Sequence, residues 1–170
     1  MSIILMGPMG CGKTSVGLRL ASALGFPFVD GDDHHTESSR SKMKVGIPLD
    51  DEDRAPWLAQ LRTLLESREA PLVLACSALK RRYRSALDPA GRQLLVYLRV
   101  PAAELARRLS ARAHFASPLL LNSQLETLEL SEEDPILVVD GQLPIDQLVK
   151  QIVEAHRIHT EAIGSRELGS

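Results

Sequence analysis

Two cysteines, one tryptophan and aromatic residues at 4% of 170 positions are what this sequence has least of. Cys11 and Cys76 form no disulfide framework, and no cysteine pair has the spacing of a metal site. No apolar run approaches the roughly 18 residues of a membrane-crossing helix, and no charged region precedes the short apolar start. Neither a membrane span nor a secretory leader is expected. Neither sign of charge dominates: twenty basic against twenty-two acidic residues give a net charge of −2, so no global field draws the chain to nucleic acid or anionic lipid. The one basic cluster, KRRYR at 80–84, lacks the broad basic surface and stacking aromatics that nucleic-acid binding requires. A cytoplasmic protein with a small-molecule partner, no nucleic acid and no membrane is the expectation.

The chain does have apolar residues, 44% of the total, enough for the core of one domain spanning 1–163. The polar GSRELGS at 164–170 reads as a disordered tail. Five short apolar runs read as strands: Ser2–Met6, Phe26–Asp30, Pro71–Cys76, Gln93–Val100 and Ile136–Asp140. Helical patterns lie between and after them, at 13–24, 54–67, 78–87, 102–112 and 119–128, with a last helix from Pro144. Strands that are apolar throughout, alternating with helices, predict an α/β domain with a parallel sheet covered on both faces. Met43, Leu49 and Leu58 read as core, Trp57 as a packing anchor, and His156 and His159 as solvent-facing.

In such a sheet, ligands bind beyond the carboxyl ends of the strands. There the first strand runs into GPMGCGKT, which fits G-x-x-x-x-G-K-[ST]. In that motif, glycines turn backbone N–H groups around a phosphate chain while the next helix presents its positive end. Gly7, Gly10, Cys11, Gly12, Lys13, Thr14 and Ser15 are therefore the candidate ATP-binding residues. Lys13 would contact the transferring phosphate, and the Thr14 hydroxyl would ligate Mg²⁺. The second strand ends in DGDDHH, where Asp32 is a candidate base and Asp30 a second magnesium ligand. Arg112 and His114 read as the start of a lid, at about 112–120, that brings positive charge to the phosphoryl group and excludes water. Excluding water separates a kinase from a hydrolase.

Three further blocks carry a specific resemblance: DGDDHHTESSRSKMKVGIPLDDEDRAPWLAQL (30–61), CSALKRRYRSAL (76–87) and HFASPLLLNSQLETLE (114–129). Together with the phosphate loop, and in this order, they resemble the gluconate kinases, a branch of the small P-loop kinases. That resemblance implies a three-layer P-loop kinase fold with a five-stranded parallel sheet and a small lid. It also implies a homodimer and transfer of the ATP γ-phosphoryl group to the 6-hydroxyl of D-gluconate. Matched residue by residue, Asp32 falls on the base beside the substrate, and His35, Lys42 and Arg54 fall in the sugar-acid segment. Arg108 takes the position of an adenine-stacking arginine, closed from the other side by the loop after Asp140. For the gluconate carboxylate, a fixed guanidinium suits bidentate pairing, and Arg54 leads over Arg84 and Lys80. Thr36, Ser39, Ala116 and Leu125 depart from the family pattern, which usually has proline, asparagine, methionine and phenylalanine there. Another small-molecule kinase and a non-catalytic ATP-binding module are the competing functions.

Overall fold

The computed structural model describes residues 1–67, 70–111 and 118–167. Five strands, β1 (Ile3–Met6), β2 (Phe28–Asp30), β3 (Val73–Ala75), β4 (Leu94–Arg99) and β5 (Ile136–Asp140), form one parallel sheet in the order β2-β3-β1-β4-β5. Helices α1 (Lys13–Leu24), α2 (Glu37–Lys44), α3 (Asp51–Glu66), α4 (Arg81–Leu87), α5 (Ala102–Ser110), α6 (Pro118–Thr127) and α7 (Ile145–Glu167) connect and cover it. All four residues of β1 are fully buried, and their alternation divides the core. Ile3 and Leu5 pack with Val16 and Leu20 of α1, Leu105 of α5 and Ile152 of α7. Ile4 and Met6 pack with Trp57 and Leu61 of α3 and Leu87 of α4. The result is the three-layer architecture expected, with β1 at its centre and the phosphate loop at β1's carboxyl end.

Several boundaries differ, each for a local reason. Helix α3 starts at Asp51 rather than Arg54, because Asp50 and Asp53 form a reciprocal capping box that adds a turn ahead of Pro56. Helix α4 starts at Arg81 rather than Ala78, whose φ of 45° is left-handed and breaks the helical run. Helix α2 was not expected. Only its Ser39 is buried, so it carries no apolar stripe, and Thr36 caps it by accepting from the Ser39 N–H at 3.2 Å. The two departures from the family pattern thus pair with each other, since Thr36 Oγ1 also donates to Ser39 Oγ at 2.9 Å.

Other expectations are corrected. Helix α7 continues through Gly164 to Glu167, so the chain is helical beyond residue 163 where a tail was expected. His156 is half-buried and donates to the Met1 carbonyl at 3.0 Å, and the Nε2 of His159 is shielded from solvent, so neither simply faces water. Met43 is exposed rather than core and lines the cleft described next, as does the half-buried Leu49. Among the described residues no helix is long and apolar enough to cross a membrane.

Candidate active site

The phosphate loop owes its shape to backbone conformations that side chains resist. Gly7, Gly10 and Gly12 have φ of 142°, 82° and 102°, which L-residues with a Cβ rarely adopt. A Cβ on Gly7 would also meet Cys11 Sγ at 2.9 Å and the Leu98 carbonyl at 3.3 Å. Gly12 supplies no capping side chain to α1, and the first turn of α1 holds no acidic residue. Its positive end is therefore left to an anion, with Thr14 and Ser15 exposed on that turn. Buried Cys11 packs beneath the loop. Lys13 folds back over it, donating to the carbonyls of Gly7 at 2.9 Å and Pro8 at 3.1 Å.

The acidic pair stands opposite. Asp30 Oδ2 accepts from Thr14 Oγ1 at 3.0 Å, and Asp30 Oδ1 accepts from the Asp32 N–H at 3.1 Å. A hydroxyl and a carboxylate side by side are hard oxygen donors of the kind magnesium takes while keeping waters and substrate phosphates as its other ligands. Asp32 follows Gly31, whose carbonyl accepts from the Trp57 indole at 2.6 Å. Trp57 is thus a packing anchor that also fixes the acidic turn. Limited solvation between the cleft walls raises the Asp32 pKa above its ordinary value; Lys13 opposes this, while Asp30 and Asp33 add to it.

His35 lies 3.8 Å from Asp32 and stacks on Trp57 with ring centroids 4.3 Å apart. Its Nδ1 is buried without a hydrogen-bond partner among the described residues, and burial, with Arg54 and Arg40 nearby, lowers its pKa to about 4. It is a neutral imidazole at physiological pH. Lys13, Asp32, His35 and Arg54 line one cleft, with Ser77 at its base and Ser123 and Gln124 of α6 on another wall. Cys76, next to Ser77, has its thiol pushed up to about 12 by burial and is no nucleophile.

Comparison with known proteins agrees with this geometry. The family described as Shikimate kinase matches residues 9–155. A gluconokinase of Gluconobacter oxydans is 39% identical, covering 89% of this chain and 88% of its own. The thermosensitive gluconokinase of Escherichia coli is 37% identical, covering 91% and 86%. A solved gluconokinase structure from Sinorhizobium meliloti superposes with a TM-score of 0.85 at 38% identity, covering 96% of both chains. This chain belongs to the gluconokinase family. A shikimate kinase of Aquifex aeolicus, at 21% identity and a TM-score of 0.60, shares the fold.

Not every residue expected in the gluconokinase site reaches the cleft. Lys42 binds both carboxylate oxygens of Asp53 at 2.7 Å and ties α2 to the start of α3. Lys80 pairs with Asp51 at 3.1 Å. Arg84 is buried, donating to the carbonyls of Ala78 and Leu79 and pairing with Asp134 at 3.0 Å. Lys80 and Arg84 are thus corrected from carboxylate candidates to residues committed to carboxylates of the protein itself. Arg54 differs. It has no ion pair among the described residues, meeting only the Leu49 carbonyl at 3.4 Å and the Tyr83 ring at 5.6 Å.

Arg108 is held by Glu104 at 2.8 Å and donates to the carbonyls of Cys11 and of Gly141, so it bridges the phosphate loop and the turn after β5. Arg112 and His114 lie outside the described residues, as does 112–117 of the expected lid. Ser77, Ser123 and Gln124 went unnoticed in the sequence, since isolated serines and glutamines carry no motif; the signal available was 120, 123 and 124 on one stripe of α6.

Proposed function

We propose that this site transfers the γ-phosphoryl group of ATP to the 6-hydroxyl of D-gluconate, giving 6-phospho-D-gluconate and ADP. The observation that carries the reading is that Lys13 and Asp32, from the ends of two different strands, line the same cleft as Arg54, which has no ion pair among the described residues. Arg54 receives the substrate carboxylate, and its planar fork suits bidentate pairing. Asp32 orients the 6-hydroxyl and takes its proton as the oxygen–phosphorus bond forms. The bond from Pγ to the bridging oxygen breaks, and ADP leaves with that electron pair. Neutral His35 holds the Asp32 side of the cleft without adding a cation.

For the phosphates, Lys13 leaves the carbonyls of Gly7 and Pro8 for the oxygens of the nucleotide, a stronger charge-assisted partner. Thr14 and Asp30 would hold magnesium, whose chemistry when bound is to neutralise phosphate charge. Arg108 stacks the adenine. The test is ADP release with a panel of acceptors. D-gluconate should be preferred over its epimers, shikimate and glucose, and Asp32→Asn should lower kcat by about 10²- to 10⁴-fold. Another preferred acceptor would reassign the substrate, and ATP turnover indifferent to every acceptor would leave an ATP-binding module.

A further inference from the structure

Helix α6 divides its faces between core and cleft. Leu121 and Leu125 pack into the core, while Leu120, Ser123 and Gln124 face the cleft. Gln124 does more than line it. Its Oε1 accepts from the backbone N–H of Met9, inside the phosphate loop, at 2.7 Å. Met9 N–H can only donate, so the carboxamide is oriented: oxygen toward the loop, Nε2 away from it. That Nε2 has no hydrogen-bond partner among the described residues, and neither has the Ser123 hydroxyl. Two N–H donors and a hydroxyl are thus presented on the wall of a cleft whose other polar groups are the Asp32 carboxylate, the His35 imidazole, the Arg54 guanidinium, the Lys13 ammonium and the Ser77 hydroxyl.

We propose that Gln124 is a two-sided positioning and specificity residue, its oxygen fixing the phosphate loop at Met9 and its amide nitrogen, with Ser123, donating to the hydroxyls of the polyol acceptor. The proposal rests on the reading that the cleft takes a sugar acid. The assigned groups cover the two ends of that acceptor, Arg54 its carboxylate and Asp32 its reacting hydroxyl. The chain of hydroxyls between them needs donors, and fixed donors reject analogues that lack the matching oxygen. Joining both tasks in one side chain also links acceptor binding to the shape of the loop.

Two variants separate the halves. Gln124→Glu keeps an oxygen for Met9 but has no N–H to donate; Gln124→Leu keeps neither. Calorimetry with a non-hydrolysable ATP analogue, and no acceptor present, reads the Met9 half whatever the substrate is. The Leu variant should bind about 3- to 10-fold more weakly, the value of one neutral hydrogen bond, while the Glu variant stays within about 2-fold of the parent. Steady-state kinetics reads the other half: both variants should raise the gluconate KM by about 5-fold or more. Ser123→Ala should raise it as well and leave nucleotide affinity unchanged. Wild-type nucleotide affinity in the Leu variant, or a wild-type gluconate KM in it, overturns the proposal. If the parent enzyme instead prefers another acceptor, the substrate reading fails by itself, and the KM comparison is made with that acceptor.

Discussion

Gly31 is a residue without a side chain on which the chemistry depends. It sits between Asp30 and Asp32, where β2 turns over the end of β3. A Cβ added there would lie 2.7 Å from the Ala75 carbonyl oxygen and 3.3 Å from Leu61 Cδ1. Ala75 pairs in register with Asp30 within the sheet, so its carbonyl cannot simply rotate away. Carbon-to-oxygen contacts settle at about 3.3 Å or more, so Gly31→Ala must move the acidic turn by roughly 0.6 Å. The Trp57 indole bond to the Gly31 carbonyl stretches with it. Overpacking of this kind costs about 1–3 kcal/mol, which for a chain of this size lowers Tm by about 3–10 °C. The same shift carries Asp30 and Asp32 off their lines to Thr14 and the acceptor, and misplacement approaching 1 Å costs about 10²-fold in rate. Calorimetric melting and single-turnover ADP formation should therefore both respond, with kcat down about 10-fold or more. A variant with parental Tm and kcat would refute the claim that this glycine fixes the acidic pair.

A paired substitution tests which arginine meets the carboxylate. Arg54→Ala should raise the gluconate KM by about 10- to 100-fold with little change in Tm, as expected for loss of a charge-assisted contact. Arg84→Ala should do the reverse, costing about 3 kcal/mol of stability measured by urea unfolding, because the largely buried Asp134 keeps only the exposed Arg81 as an ion-pair partner among the described residues. The pH dependence of stability reports on His35. Its folded pKa, about 4, lies below the ordinary 6.5, so the unfolded chain gains a proton first as pH falls. Stability is full above about pH 7 and is lost between about pH 6.5 and 4, by at most about 3 kcal/mol. Asp32, with its raised pKa, acts in the opposite sense at the acid end of that range. In His35→Phe, which keeps a ring on Trp57, the loss between pH 6.5 and 4 should disappear; a slope that persists there would assign it to other groups.

What the sequence made legible follows from the range of the interactions involved. Strands β1 and β4 were readable because near-complete burial demands unbroken apolar runs, and the phosphate loop because its glycines, lysine and threonine act within eight residues of one another. Helix α2 was not readable, since its stability comes from the Thr36 cap and the Lys42 bridge to Asp53 rather than from an apolar stripe. The basic residues divide along the same line. Lys42, Lys80, Arg84 and Arg54 carry the same charge, and nothing local marks which is free. The partners that decide it lie 11, 29 and 50 residues away: Asp53, Asp51 and Asp134. Asp53 captures Lys42, Asp51 captures Lys80 together with Arg82, and Asp134 captures Arg84 together with Arg81. Arg54 is passed over because the carboxylate nearest in sequence, Asp53, is already shared between Lys42 and the Asp50 cap. If Asp53 were made Asn, Lys42 would lose its anchor and the end of α2 would loosen, but Arg54 would remain where the Leu49 carbonyl and the Tyr83 ring hold it. On the proposed reading, anion binding at this end of the cleft depends as much on the carboxylates that neutralise Lys42, Lys80 and Arg84 as on Arg54, which has no ion pair among the described residues.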